Sequence, residues 1–473
     1  MTPFEFVCSQ FQLPKELHGQ PFVVHPLQIQ AVNALAENAQ SGVFLDTGTG
    51  KTLVETLLML YRMATHNLET GVVIMPPILV TQWGRWLSHV RRADGRPLRV
   101  TEYKGTPAER KLLHLDVDVV LVGIQIFKRD YQRFRDWFDG RRYTVAIDEA
   151  NMLCNVGSDN HEKVYEFCLG VTKDLLTGTP MNVPTDAYGI MKFTAPGIYR
   201  NLKHFQNMHV DEVDFYGKPK GYINLDVLKR NLETNSYRIL FEDMYPDMDV
   251  PLFNHMPYEL APAHMKLYRR LVDEQMVELD DGGKLDFTQA NRVIHALGQV
   301  VINWGYFAQD PKLVSEGVAL VEQRLREVDK LVVFANYRMT VAHLVQRFPG
   351  AAQVNSEVTA TEKANGIDRF INDPSCPLIV IHPKSGGAGL DGLQHVCNRM
   401  MFLEPLSSPR DFHQCVARLK RTGQRRRVVV DLPTAEGTLQ GRSFAALQKN
   451  DNIVGSVVRT AFDLRALLRG EKT

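Results

Sequence analysis

The chain has 473 residues, 44% of them hydrophobic and 23% charged, which excludes a disordered polymer and suits two or three ordinary globular domains. Its 55 lysines and arginines stand against 54 acids for a net charge of +1, so global attraction to a polyanion is excluded and any such surface has to be a local basic strip. The six cysteines, at 8, 154, 168, 376, 397 and 415, form no CxxC pair, which argues against a zinc site or a secreted disulfide scaffold and fits a reducing compartment.

From Gly42 to about Phe193, short β-rich apolar runs at 42–45, 71–75, 98–103, 117–122, 144–147 and 174–177 alternate with amphipathic stretches, which predicts a parallel sheet covered on both faces. The first run leads into Asp46-Thr47-Gly48-Thr49-Gly50-Lys51-Thr52 and then an apolar helix from Leu53. This is a phosphate-binding loop. Its glycines let successive backbone N–H groups approach a polyphosphate, Lys51 reaches the β- and γ-phosphates, and the Thr52 hydroxyl can hold Mg²⁺. Leu45 stands where the longer pattern has a glycine, so the match is to the shorter GxGKT form. ATP and Mg²⁺ are the expected cofactors. Trp83 and Trp86, three apart on a predicted helix, are read as packing residues rather than base-stacking platforms.

About a hundred residues after the loop, the strand ending Ile147-Asp148-Glu149-Ala150-Asn151 puts two carboxylates at its carboxyl end, where open α/β sheets place ligand chemistry. Asp148 can hold Mg²⁺ through its water shell, and Glu149 is placed to orient and deprotonate an attacking water. From about Ala195 the pattern changes to longer helices at 264–279 and 287–301, parted by Asp280-Asp281-Gly282-Gly283. A second strand and helix series begins at Lys330, with strands at 331–335, 378–382, 399–403 and 428–432 and no phosphate loop of its own. Near its end Gln414, Arg418 and Arg421 are spaced four and then three apart, so a continuous helix there shows all three on one face.

In this order the segments resemble the superfamily-two helicase-like motors, and within them the Swi/Snf-type DNA translocases, from about Gln28 to Gln424. His25-Pro26-Leu27-Gln28 is similar to the adenine-reading glutamine motif, with Gln28 as the reader. Asp148-Glu149-Ala150-Asn151 matches the DEAH-type box with asparagine for histidine. Leu176-Thr177-Gly178-Thr179-Pro180 is similar to the coupling motif, and Ser385-Gly386-Gly387-Ala388-Gly389-Leu390-Asp391 to the glycine-rich motif of the second lobe, with Asp391 where the family has asparagine. Gln414 to Gln424 resembles the pattern Q-x-x-x-R-x-x-R-x-G-Q at every fixed position.

The resemblance implies two RecA-like parallel-sheet lobes in tandem: an ATP-binding lobe over 1–195, a helical insertion and connector over 196–329, and a lobe over 330–473 that carries arginine fingers. Nucleotide contacts fall to Gln28, Thr47, Gly48, Thr49, Gly50, Lys51, Thr52, Gly389 and Asp391, metal to Thr52 and Asp148, and catalysis to Lys51, Asp148, Glu149, Gln414, Arg418 and Arg421. Two arginines acting on the γ-phosphoryl group are worth roughly 10³ to 10⁵ in rate, about 4 to 7 kcal/mol of barrier. Sequence-insensitive grip on a phosphate backbone is assigned to Lys104, Gln125, Lys128 and Thr177 in the first lobe and Asn336, Arg338, Lys384 and Ser385 in the second.

The expected function is an ATP-driven translocase on double-stranded DNA that remodels protein–DNA or branched structures. Alternatives are a strand-separating helicase on single-stranded DNA or RNA, and an ATP-switched clamp without sustained turnover. No export signal or run of roughly 18 apolar residues is visible, so the expectation is a cytoplasmic protein with no membrane partner, nuclear if eukaryotic. The spare organisation suggests a bacterial or phage motor in DNA repair or replication, with a protein partner supplying specificity.

Overall fold

Val43 and Leu45 pack on one face of their strand and Phe44 on the other, and all three are buried, as a strand covered on both sides requires. The same two-sided burial holds at Val72 against Val73, Val120 against Leu121, and Val145 against Ala146. The computed structural model describes residues 1–17, 20–181, 183–213, 219–280, 287–310, 312–385, 390, 392–406 and 408–448. The chain divides into two units, Met1–Asp247 and Met248–Thr473.

The first unit holds a seven-stranded sheet of β1 (Gln40–Leu45), β2 (Thr70–Met75), β3 (Val100–Tyr103), β4 (Val119–Gly123), β5 (Tyr143–Asp148), β6 (Thr172–Leu176) and β7 (Ser236–Ile239), in the spatial order β7-β1-β6-β5-β2-β4-β3. Every pairing is parallel. The second unit holds six strands, β8 (Leu252–Tyr258), β9 (Leu331–Phe334), β10 (Ala352–Val354), β11 (Leu378–Ile381), β12 (Arg399–Phe402) and β13 (Val429–Ala435), ordered β8-β13-β12-β9-β11-β10 and again all parallel. Here too the two faces are buried separately, Val332, Phe334, Ile379 and Met400 on one and Leu331, Val333, Leu378 and Met401 on the other. Two parallel-sheet lobes in tandem are thus present as expected.

Ten of the thirteen strands coincide with apolar runs legible in the sequence. The other three, β7, β8 and β10, all lie at sheet edges. An edge strand buries less, so it tolerates polar residues and even Pro257, which interrupts β8 without a neighbour needing its missing N–H. The segment 196–329 accordingly contributes more than helices. Beside the expected helices Pro262–Asp280 and Phe287–Phe307 it supplies the hairpin Val210–Val213 with Pro219–Tyr222, then edge strand β7 to the first sheet and β8 to the second. The boundary between units falls inside it, after Asp247.

Candidate active site

In the first unit β1, β6 and β5 are neighbours, so their carboxyl ends deliver the phosphate loop, Thr177 and Asp148 to one edge of the sheet. Gly48 and Gly50 hold φ of 88° and 85°, a left-handed backbone that glycine adopts at no steric cost. A side chain at Gly50 would also meet Gln28, since a Cβ there lies 2.3 Å from its Nε2. Gln28 is buried, donates from Nε2 to the Thr49 carbonyl at 2.8 Å, and accepts from the His25 N–H at 2.9 Å. It thereby braces the loop from the amino-terminal helix Pro26–Leu35.

Lys51 opens the helix Lys51–Thr65 and donates from Nζ to the carbonyls of Leu45 at 3.0 Å and Asp46 at 3.4 Å. Asp46 ties the loop to the segment after β7: its carboxylate accepts from the Phe241 N–H at 3.0 Å, and its own N–H donates to the Ile239 carbonyl at 3.0 Å. Sequence reasoning did not anticipate that tie, because β7 was not legible.

Asp148 is 5% exposed at the end of β5, where it accepts from Trp83 Nε1 and from the Glu149 N–H, both at 2.8 Å. Burial, and then the neighbouring Glu149 carboxylate, push its pKa up to about 6 against the opposing pull of Lys51 and the indole N–H. Glu149 sits at φ 53°, a left-handed conformation costing about 1–3 kcal/mol that points to a functional constraint. Asn151 donates to the Glu149 carboxylate at 3.2 Å, so the asparagine that replaces histidine in the box engages the candidate base directly.

A magnesium nucleotide suits these residues. The cradle needs glycines where they stand, and a buried carboxylate whose proton is held up to pH 6 is stabilised in its ionised form by a cation. Asp148 and Thr52 would hold Mg²⁺, which would neutralise phosphate charge. Among the described residues no group of three or more acidic, histidine or cysteine side chains forms a metal cage.

Trp83 is 1% exposed in the core, consistent with packing, and it also positions Asp148. Trp86 donates to the Thr56 hydroxyl at 2.9 Å. Replacing Trp83 by Phe keeps most of the packing but removes the donor, so the Asp148 carboxyl rises further and is ionised over a narrower range. The expected outcome is a fall in Mg²⁺-dependent nucleotide affinity that begins near pH 6 in the parent and at higher pH in Trp83→Phe, read by calorimetric titration across pH. Superimposable profiles would remove Trp83 from this role.

The proposed grip residues fall into two groups by topology. Lys104 follows β3 while Gln125 and Lys128 follow its neighbour β4, so all three leave one sheet edge. Lys104 pairs with Glu102 at 2.6 Å and Lys128 with Asp159 at 2.9 Å, and Gln125 is exposed. In the second unit Asn336 and Arg338 follow β9, and Lys384 and Ser385 follow its neighbour β11. Arg338 and Lys384 are exposed. Thr177 is fully buried, its hydroxyl closing a turn with the Thr179 backbone at 3.1 Å, so it shapes the coupling motif from inside and presents no surface. Gly389 and Asp391 lie outside the described residues.

The expectation of one helical face for Gln414, Arg418 and Arg421 needs correction. The helix Pro409–Val416 ends before Arg418, and the chain continues in tight turns, with Arg418 N–H bonded to Cys415 and Leu419 N–H to Val416. Leu419 is fully buried beside Phe412, Cys415 and Val416, so the turns keep the apolar side of the helix in the core. Gln424, the last fixed position of the motif, has a structural job: its side chain donates to the Cys397 carbonyl at 2.9 Å and accepts from the Arg426 N–H at 3.0 Å.

Residues 27–300 match the family model described as SNF2-related domain. Among curated proteins the chain is similar to a "DNA repair and recombination protein RAD54-like" of Drosophila ananassae, 29% identical over 84% of this chain and 56% of the relative. It is also similar to the Homo sapiens protein of that description, 27% identical over 84% of this chain and 60% of the relative. It thus spans little more than half the length of these relatives. Among solved structures, a Sulfolobus solfataricus SWI2/SNF2 ATPase core in complex with dsDNA is 19% identical, covering 96% of this chain and 98% of that one, with a TM-score of 0.43.

Proposed function

The chain belongs to the SNF2-related family, and on that premise we propose that it is a nucleic-acid-stimulated ATPase that translocates on double-stranded DNA and remodels bound proteins or branched structures without separating strands. The observation that carries the reading is the single sheet edge that combines the Gly48–Thr52 loop with Asp148 and Glu149. In this reading Gln28 reads adenine, Lys51 and the loop amides hold the phosphates, Thr52 and Asp148 hold Mg²⁺, and Glu149 takes the proton of the attacking water. Arg418 and Arg421 offset γ-phosphoryl charge, and Gln414 acts in the same catalytic set. The charge-offsetting role is worth about 10³ or more in rate.

Lys104, Gln125 and Lys128 in one unit and Asn336, Arg338, Lys384 and Ser385 in the other contact backbone phosphates. The ion pairs of Lys104 with Glu102 and of Lys128 with Asp159 do not oppose this, because each has one exposed partner and a solvent-screened pair of about 1 kcal/mol can exchange for a phosphate. A protein partner would supply the target. No helix among the described residues is long and apolar enough to cross a membrane. The reading places the motor in the cytoplasm, or in the nucleus of a eukaryote.

Steady-state ATP hydrolysis with no nucleic acid, single-stranded DNA, duplex DNA and RNA tests the reading. Strong stimulation by the duplex is the expected result. Stimulation by single strands or RNA alone would replace it with a strand-separating helicase, and no turnover under any condition would replace it with an ATP-switched clamp.

A further inference from the structure

The helix Arg338–Arg347 begins without a local cap, since Tyr337 at its N-cap offers no side-chain acceptor. The two residues just before it turn instead to a carboxylate that follows the neighbouring strand β12. Glu404, 1% exposed just beyond β12, accepts from the Asn336 N–H at 2.6 Å, from the Tyr337 N–H and from the Thr340 hydroxyl. The Asn336 side chain completes the clasp by donating to the Pro405 carbonyl at 3.4 Å. Thr340 is in turn held by Asn303, whose Nδ2 donates to its hydroxyl at 2.7 Å. Asn303 is the one residue at which the helix Phe287–Phe307 leaves helical geometry, with φ −112° and ψ 34°. Three elements therefore converge on one buried carboxyl group.

A buried carboxyl is costly to keep, and burial pushes that of Glu404 up to about 7 despite three donors. A helix start could be capped far more cheaply by a Ser or Asp at position 337. The remote arrangement does something a local cap does not: it fixes the strand-to-helix junction 335–338 in place relative to β12. Asn336 and Arg338, the two grip candidates of β9, are the residues so fixed.

We propose that Glu404 is a positioning residue for nucleic-acid binding, holding the Asn336–Arg338 junction so that Arg338 meets a backbone phosphate of duplex DNA. The inference rests on the reading of the chain as a duplex-stimulated ATPase. Arg338, exposed at the first position of the helix, is the side chain that the clasp holds ready for the phosphate. Glu404→Gln keeps the shape but turns an NH₂ group toward N–H and O–H donors, which loosens the clasp.

The test uses the full chain and a fluorescein-labelled duplex, with anisotropy and the duplex concentration for half-maximal ATPase as readouts. Glu404→Gln is expected to weaken duplex binding roughly tenfold with the KM for ATP unmoved. A Glu404→Gln/Arg338→Ala variant is expected to bind no more weakly than Arg338→Ala alone, because one residue acts through the other. A merely structural role would instead multiply the two losses and overturn the inference, as would parent-like binding by Glu404→Gln. Should Glu404→Gln fail to fold, Thr340→Ala removes one donor and is expected to weaken binding about threefold, again with no added loss on Arg338→Ala. A parent chain indifferent to duplex would overturn the translocase reading and this inference with it, whereas a duplex response that both variants retain would overturn this inference alone.

Discussion

Glu149→Gln is expected to lower duplex-stimulated turnover by about 10² to 10⁴, the usual contribution of a positioned general base, while ATP still binds. The change is close to isosteric, and the residue keeps its hydrogen-bonding reach toward Asn151, which donates to it at 3.2 Å. It also leaves in place the Glu149 N–H that donates to Asp148, so the candidate metal carboxylate keeps its orientation. Removing one negative neighbour lets Asp148 ionise at lower pH, since Glu149 raises its pKa second only to burial. Nucleotide affinity should therefore hold or tighten as kcat collapses. Rapid-quench turnover and equilibrium binding of a fluorescent ATP analogue measure the two separately. Turnover near that of the parent would take the base role from Glu149, and a parallel loss of binding would mean that the left-handed strand end had rearranged.

What was legible in the sequence was whatever lies close together along it. The Gly48–Thr52 loop, Asp148 and Glu149, and ten strands within short apolar runs announce themselves through neighbouring residues. The contacts that tune those groups do not, because they join distant positions. Trp83 reaches Asp148 across 65 residues, and Glu404 reaches Thr340 across 64 and Asn336 across 68. A tryptophan on an amphipathic helix reads as core, and nothing local reveals that its N–H faces a carboxylate. The edge strands β7, β8 and β10 escaped because half-exposed strands mix polar and apolar residues. The spacing of Gln414, Arg418 and Arg421 misled in the opposite sense, since a regular period implied a continuous helix where the chain passes into turns after Val416. The Asp391 position, a departure from the family pattern, lies outside the described residues.

The largest stability effect is expected at the far end of the helix that the phosphate loop opens, where Arg62 is fully buried against strand β6. Its guanidinium pairs with Asp174 and donates to the Ala36 carbonyl at 3.1 Å, the Leu35 carbonyl at 2.9 Å and the Ser41 hydroxyl at 3.2 Å. A second buried acid, Glu55, lies on the same helix as Arg62, and burial first, then Asp174, hold its pKa well above the usual carboxylate range. Arg62 is the counter-ion of Asp174, and Glu55 beside them holds its proton more tightly than an exposed acid does. Arg62→Met leaves Asp174 buried without a counter-ion and should cost about 3–5 kcal/mol. Arg62→Met/Asp174→Leu removes both charges and should recover most of it, because an apolar pair of similar volume is often no less stable than a buried ion pair. Glu55 adds a pH dependence of known sign. Its folded pKa is raised, so between the ordinary carboxylate value and that raised value the unfolded chain holds fewer protons, and stability falls as pH rises through the window. Glu55→Gln should flatten that fall. Urea denaturation of the full chain, expected to show a transition for each of its two units, reads all three variants. Only the transition of the unit Met1–Asp247 should move, and an Arg62→Met transition that coincides with that of the parent would mean that the buried pair adds nothing to the stability of that unit.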